Sequence, residues 1–345
     1  MNLIYFFSFT AIVVSVFFIY RYSPFKVKKK QHSNALFTEA LNAMVKGDRI
    51  KAINLLRQVV KQDSDHISAY LQLGNIIKDD NPVQAIKIHQ SLTVRPNLPT
   101  DIKIDIHIAL ASDYYSVSQY KKAKEEAKQI LKFDKRNLWA VEFLISLAEE
   151  NKEWDDAASW TKQRHRITGK KQNEDVAKFE VCKGLDCLKN SQIEEAKSFF
   201  NKAIKLAPKF SLSYRYIGDV YAKTRDLVKA VENWEIFASL DSENGKQVYS
   251  KIETALFDLG RYSEVENFYR KIIKMNPSNF EAILRLANVL EEKGEGASAM
   301  NLLENAISSE GEDIRADLMK LKLSLSTSTP MELGHQLDKI IEKLS

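Results

Sequence analysis

The side chains in this sequence that are best suited to metal or redox chemistry are two cysteines and six histidines. Cys182 and Cys187 stand five residues apart within one predicted helix, so their side chains point in different directions. That spacing is not that of a metal clamp, and a reducing cytoplasm disfavours a disulfide, so we expect both thiols to pack between helices. The histidines show no spacing suited to zinc, either with one another or with a cysteine. They are His32, His66, His89, His107, His165 and His335.

Motifs for cofactor binding and nucleophilic catalysis are missing from the sequence as well. It has no G-x-x-x-x-G-K-[ST] loop, no G-x-G-x-x-G loop and no G-x-S-x-G elbow. His89 and His107 stand among apolar residues at helical spacing, which favours packed or hydrogen-bonded side chains over metal ligands. We therefore expect no metal, no cofactor and no enzymatic activity.

The excess positive charge is concentrated near one end of the chain. The formal net charge is +5, and five cations lie between residues 21 and 30, namely Arg21, Lys26, Lys28, Lys29 and Lys30. The rest of the chain is close to neutral, so the basic composition does not indicate nucleic-acid binding.

The elements that position these side chains are clearest between Phe179 and Pro208, which read as two amphipathic helices joined by a polar turn. Small residues at Gly184 and Ala196 let the two helices approach closely, and Phe200 fills the gap beside them. This order of small and large residues resembles the tetratricopeptide repeat.

The same order recurs along the chain. A step of 34 residues joins Ala196 to Ala230, Ala123 to Ala157 and Val265 to Ala299, with a similar interval from Ala52 to Ala85. Two longer intervals, from Ala85 to Ala123 and from Ala157 to Ala196, indicate short loop insertions. The sequence predicts an all-α tetratricopeptide-repeat superhelical solenoid over residues 35–310, with about eight helix-turn-helix repeats.

Residues 3–20 carry no charge and are long enough to form a helix of about 27 Å, which would just cross a bilayer. A cleaved signal peptide is the alternative, but no cation precedes the apolar run and no small-residue cleavage site follows it. We expect a transmembrane anchor at 1–20 and a basic juxtamembrane linker at 21–34. Because the flanking cations lie on its C-terminal side, the repeats are expected to face the cytoplasm from a single-pass anchor; those cations also suit anionic lipid headgroups.

Residues 311–345 are expected to form two further helices that cap the last repeat. The final helix places Leu333, Leu337 and Ile341 on one side, together with Ile340 and Leu344. Capping the core is the first interpretation of this apolar side, and docking of a partner is the alternative.

An array of helical hairpins offers a concave inner face to a peptide or protein. By their repeat positions, the candidates for that face are Asn75, Tyr115, Glu149, Arg215, Asp219 and Lys223. The alternative for each of them is an ordinary solvated side chain. The Lys and Asn pairs with which some tetratricopeptide domains hold a C-terminal carboxylate are not recognisable here.

The stretch from Leu73 to Leu92, LGNIIKDDNPVQAIKIHQSL, resembles the lipopolysaccharide assembly protein B family more closely than it resembles repeats in general. The matching positions are Leu73, Gly74, Asn75, Ala85, Ile86, Ile88, His89 and Gln90. Asp113-Tyr114, Glu153-Trp154 and Gly218-Asp219 continue the resemblance, which covers roughly residues 1–310. Two features depart from the family: the turn from Lys78 to Pro82 is one residue shorter, and the two C-x-x-C pairs of the family's rubredoxin-like metal module are not in this sequence.

The resemblance implies a non-enzymatic adaptor at the bacterial inner membrane that regulates lipopolysaccharide biosynthesis. Proteins of the family link the membrane protease FtsH to the lipid A deacetylase LpxC and contact lipopolysaccharide transport components. The anchor and the repeats alone also suit the alternative of a general scaffold for another envelope complex, such as a pilus, secretion or division assembly.

Overall fold

A computed structural model of the chain describes residues 24–310, 314–325 and 328–344. The anchor predicted at residues 1–20 and the neighbouring Arg21 lie outside these residues. Among the helices in the described ranges, none is both long and apolar enough to span a bilayer.

The chain folds as two compact units, of which the first ends at Gly169 and the second begins at Lys170. Within the described residues, unit 1 contains α1 (Pro24–Val45), α2 (Arg49–Gln62), α3 (Ile67–Ile77), α4 (Pro82–Thr93), α5 (Thr100–Ser116), α6 (Tyr120–Phe133), α7 (Leu138–Glu150) and α8 (Trp154–Thr168). These helices pack as consecutive pairs, and the second helix of each pair contacts the first helix of the next.

Unit 2 repeats this arrangement and carries the same pairing to the end of the described chain. Its helices are α9 (Asn173–Lys189), α10 (Ile193–Leu206), α11 (Ser211–Lys223), α12 (Leu227–Leu240), α13 (Tyr249–Asp258), α14 (Tyr262–Met275), α15 (Phe280–Glu292), α16 (Gly296–Glu310), α17 (Ile314–Ser324) and α18 (Pro330–Leu344), with one 3-10 turn at Gly245–Val248. The described ranges contain no strand and form eight helix pairs before α17. The all-α repeat architecture and the expected number of repeats are confirmed.

The turn inside most pairs is built on one residue with left-handed backbone geometry. Ser118, Lys152, Ser191 and Arg225 have φ between 57° and 63° at this point, and glycines take the position elsewhere. The turn between α3 and α4 contains no such residue, which agrees with its being one residue shorter. There the side chain of Asn81 caps α4 by accepting a hydrogen bond from the backbone N–H of Gln84.

The two helices of a pair approach closely where a glycine faces a large side chain. A Cβ added at Gly184 would lie 2.4 Å from the Phe200 ring, and one added at Gly218 would lie 2.6 Å from Trp234. Phe200 is fully buried. The expectation that Gly184 admits Phe200 is confirmed.

The equivalent contact in unit 1 uses a histidine where two pairs of unit 2 have Phe200 and Trp234. A Cβ at Gly74 would lie 2.2 Å from the His89 ring, which is completely buried. His89 Nδ1 lies 2.6 Å from Oδ2 of the equally buried Asp113, and Nε2 lies 3.2 Å from the Leu71 carbonyl oxygen. His89 thus joins α4 to α5 through a buried polar pair, in agreement with the packed, hydrogen-bonded side chain expected from the sequence.

Both ends of the described chain add detail to the sequence-based boundaries. Helix α1 starts at Pro24, so residues 24–34 of the expected linker are helical. The segment contains no glycine and no proline after Pro24, and proline is well suited to a first helical turn. At the other end, Ala316 and Leu323 of α17 are buried in the same core as the last pair, and α17 contacts α15 and α16.

Helix α18 packs on α17 and divides its apolar side between core and solvent. Ile340 is buried, whereas Leu337 and Ile341 are each about half exposed, at 47% and 55%. The capping and docking interpretations of α18 both stay predictions.

Substitution of Gly184 by alanine tests the close approach within a pair. We expect G184A to lower the free energy of unfolding by about 1–3 kcal/mol, because the new methyl group overlaps the buried Phe200 ring. Urea unfolding of the full chain followed by circular dichroism measures the change. G334A is the matched control: no atom lies within 4 Å of its added Cβ, so it should be neutral or stabilising by roughly 0.5–1 kcal/mol. Equal effects of the two variants would contradict the steric argument.

The pair formed by His89 and Asp113 is tested by converting it to the residues found at the same places in unit 2, Phe200 and Val220. H89F should destabilise the protein by about 3 kcal/mol, since it leaves the Asp113 carboxylate buried without a partner. The double variant H89F/D113V should recover most of that loss, because no buried charge remains. If the double variant is no more stable than H89F, the unpaired carboxylate is not the cause. Unfolding midpoints in urea give both comparisons.

Candidate protein-binding site

The exposed side of the first helix of each pair, called the inner face below, carries the residues that repeat position predicts for partner binding. In unit 2 these are Arg215, Asp219 and Lys223, which stand four residues apart on α11 and therefore share one side of the helix. Arg215 and Asp219 are partly buried and Lys223 is exposed. The structure thus brings the three predicted residues of unit 2 into one row.

Asp219 lies at the centre of this row and is already engaged by two donors. Its Oδ1 atom accepts a hydrogen bond from Trp234 Nε1 at 3.0 Å and an ion-paired one from Lys251 Nζ at 2.7 Å. Lys251 Nζ also lies 5.6 Å from the centre of the Trp234 ring. Asp219 therefore orients Trp234 and Lys251 and is not a free anion for a ligand.

A groove of ≈ 600 Å³ opens between α11 and α13 beside this row. Its lining is mainly apolar with charged side chains at the rim, and consists of Asp219, Ala222, Lys223, Leu227, Trp234, Ser250, Lys251, Thr254, Ala255 and Asp258. Shape and composition suit an apolar side chain flanked by polar groups.

Ion pairs connect the first helices of unit 2 to one another. Arg285 of α15 pairs with Glu253 of α13 at 2.9 Å and with Glu281 of its own helix at 2.9 Å. Arg315 of α17 reaches Glu281 at 3.5 Å. Burial and the hydrogen bond to the Glu253 carboxylate raise the pKa of the Tyr269 phenol, so it stays a protonated donor. The ion-paired residues Glu253, Glu281, Arg285 and Arg315 line a second, polar groove of ≈ 470 Å³.

The inner face of unit 1 combines aromatic rings with carboxylates. Tyr115 is 40% exposed and donates a hydrogen bond to Glu150 Oε2 at 2.5 Å, while Tyr120 donates to Glu150 Oε1 at 3.0 Å. Hydrogen bonding to Glu150 and partial burial raise the pKa of the Tyr115 phenol. The Tyr115 ring also contacts Phe143, which stacks on Trp139 at 5.0 Å. This cluster combines aromatic rings with a carboxylate, whereas the inner face of unit 2 is built on ion pairs.

The remaining predicted residues of unit 1 are Glu149 and Asn75. Glu149 precedes Glu150 on α7 and is partly buried, and Asn75 is exposed on α3 next to Gly74. The side chains of the predicted membrane-flanking cations, Arg21, Lys26, Lys28, Lys29 and Lys30, are not among those that the structure describes.

The structure also places the two cysteines and His107, which the sequence presents as residues suited to metal or redox chemistry. Cys182 and Cys187 are partly buried, and Cys187 packs against the core that contains Phe200. His107 pairs with Glu126 at 2.6 Å. Within the described part of the chain, no group of three or more His, Cys, Asp or Glu side chains is placed to hold a metal ion.

Three participants in these sites were not identified from the sequence. Nothing in the local sequence pattern indicates that the indole N–H of Trp234 binds Asp219. Lys251 and Glu150 come from neighbouring repeats, and their roles depend on which side chain reaches across the stack. A search for charged residues about one repeat length from each candidate would have found Lys251, 32 residues after Asp219.

Comparison with known proteins agrees with this geometry. Family models that describe the tetratricopeptide repeat match residues 187–210 and 256–323. Lipopolysaccharide assembly protein B of Escherichia coli strain K12 is 22% identical over 269 residues, which cover 77% of this chain and 69% of that protein. The protein of the same name from Haemophilus influenzae is 24% identical over 279 residues, with 76% and 68% of the two chains covered.

A second kind of relative matches a shorter part of the chain. Type IV pilus assembly protein PilF of Pseudomonas aeruginosa is 26% identical over 192 residues, covering 54% of this chain and 72% of that protein. The longer match, the family models and the stacked helix pairs together identify this chain as a tetratricopeptide-repeat protein similar to lipopolysaccharide assembly protein B.

Proposed function

We propose that this protein is a non-enzymatic adaptor that regulates lipopolysaccharide biosynthesis from the bacterial inner membrane. The observation that supports this most directly is the similarity to lipopolysaccharide assembly protein B over 77% of the chain. A stack of repeats with grooves is suited to holding partner proteins.

The proposed mechanism is colocalisation. A single-pass helix at residues 1–20, with the cations from Arg21 to Lys30 on its cytoplasmic side, would hold the repeats at the inner leaflet. Two partners bound to one anchored chain meet at an effective concentration far above their bulk concentrations. The adaptor thereby raises the rate of a reaction between its partners while the catalytic groups belong to the partners.

The partners proposed are those implied by the family resemblance. FtsH would be the membrane protease, LpxC its substrate, and lipopolysaccharide transport components a third contact. Because the two inner faces differ in chemistry, with aromatic rings and carboxylates in unit 1 and ion pairs beside an apolar groove in unit 2, one chain offers different surfaces to different proteins.

A general envelope scaffold is the second candidate function. The similarity to the pilus assembly protein PilF over 54% of this chain favours it. It requires the same anchor and the same repeats, but a different set of bound proteins.

Affinity purification of the tagged full-length protein from detergent-solubilised membranes distinguishes the two functions. We expect FtsH or LpxC to be recovered, and we expect deletion of the gene to change the LpxC level and the lipopolysaccharide content of the cell. A chain starting at Arg21 is the control, because it keeps the repeats and should lose the membrane-dependent contacts.

Two outcomes would decide against the first function. If deletion leaves LpxC and lipopolysaccharide unchanged, the proposed regulation is wrong. Recovery of a pilus or secretion assembly in place of FtsH and LpxC would support the general scaffold.

A further inference from the structure

The ion pairs on the inner face of unit 2 follow a regular rule. Lys251 pairs with Asp219, which lies 32 residues earlier, and Arg285 pairs with Glu253 at the same interval. In each case a cation on one first helix is neutralised by a carboxylate on the preceding first helix. Arg315 and Glu281 continue the series with an interval of 34 residues.

Arg215, one helical turn before Asp219 on α11, is a further cation of the same inner face, and within the described residues it has no acidic partner. The same intervals lead back to Lys183 and Val181 on α9, neither of which is acidic. The guanidinium group lies 5.4 Å from the Tyr216 ring centre, and its buried Nε atom has no hydrogen-bond acceptor. Within the described part of the chain, Arg215 is therefore an inner-face cation that no carboxylate neutralises.

The groove between α11 and α13 starts one helical turn beyond Arg215. Ala222, Ala255 and the indole of Trp234 contribute its apolar surface. The nearest carboxylate on α11, Asp219, is already bound by Trp234 and Lys251. An apolar side chain lying here would not meet an unpaired anion at the centre of the groove.

The dimensions of α11 fit an extended peptide. Arg215 and Lys223 are eight residues apart, which is about 12 Å along a helix. Four residue steps of an extended strand span about 13 Å, and the first, third and fifth side chains point to the same side. A segment with acidic residues at its first and fifth positions and an apolar residue at its third would place all three against Arg215, the groove and Lys223.

We infer that α11 and the adjoining groove bind an extended segment of a partner protein with the pattern acidic, any, apolar, any, acidic. A side-chain carboxylate of this segment supplies Arg215 with the ion pair that the preceding repeat does not provide. The inference rests on the proposed adaptor function and specifies one class of partner segment for it.

Asp258 gives the surface an internal control. It lines the same groove as an exposed carboxylate on the last residue of α13 and repels an acidic segment at the Lys223 end. Its removal should strengthen binding, whereas loss of either α11 cation should weaken it. Opposite signs for two charge changes are difficult to produce through a general loss of folding.

The test uses the full chain in detergent and a fluorescein-labelled, C-terminally amidated nonapeptide, with fluorescence anisotropy as the measurement. The peptide has two glutamates flanking a leucine at alternate positions in a glycine and serine background. Wild type should bind it, R215Q about tenfold more weakly, and D258N more tightly. R215K keeps the charge but loses the planar donor group, so intermediate binding is expected.

The control variant K274Q removes an exposed cation from the outer helix α14 and should leave binding unchanged. Peptides with glutamine in place of the glutamates, or serine in place of the leucine, should bind at least tenfold more weakly. Equal binding by R215Q and wild type would overturn the inference, as would no saturation by the acidic peptide up to about 1 mM. Tighter binding of a peptide whose only carboxylate is its C-terminus would overturn the choice of a side-chain carboxylate.

The two proposals fail separately. If FtsH or LpxC copurifies equally with wild type and R215Q while the peptide does not bind, the inference fails and the adaptor function stands. If the peptide binds as expected and neither protein copurifies, the segment is recognised but belongs to another partner.

Discussion

The close approach of a glycine to a large side chain, at Gly74, Gly184 and Gly218, is the contact on which the packing of these helix pairs depends. It sets the distance between the two helices of a pair at Gly184 and Phe200, and again at Gly218 and Trp234. Once that distance is fixed, the first helices stand next to one another and their exposed sides form a continuous surface within a unit. Because Trp234 packs opposite Gly218, its indole N–H donates a hydrogen bond to Asp219. The contact that packs the helix pair therefore also places the indole in the lining of the groove.

Sequence alone predicts those parts of the structure that depend on local spacing. The repeat interval predicts eight helix pairs, and the small and large residues between Phe179 and Pro208 predict which side chains are buried. The helical surroundings of His89 predict a packed side chain. Each of these follows from contacts within one repeat or at a fixed interval.

Contacts between long side chains of different repeats were not predictable in the same way. The sequence offered Glu149 as an inner-face candidate, yet its neighbour Glu150 is the residue that accepts hydrogen bonds from Tyr115 and Tyr120. One position along a helix rotates a side chain by about 100°, so the choice between adjacent carboxylates depends on the exact rotation of α7 against α5. The polar composition of residues 24–34 predicts a linker and gives no apolar periodicity that would indicate a helix. In the structure these residues are helical.

Because of the buried pair formed by His89 and Asp113, the repeats of unit 1 are not interchangeable. An apolar helix pair can stack on any other apolar pair, but α4 presents a polar ring that only a neighbour with a matching carboxylate satisfies. If α4 stacked on a helix with valine or alanine at that place, the ring would be buried with one hydrogen bond fewer. The pair therefore favours one order of the repeats, with α5 packed next to α4. It also disfavours exchange with other repeats during folding or between two copies of the chain.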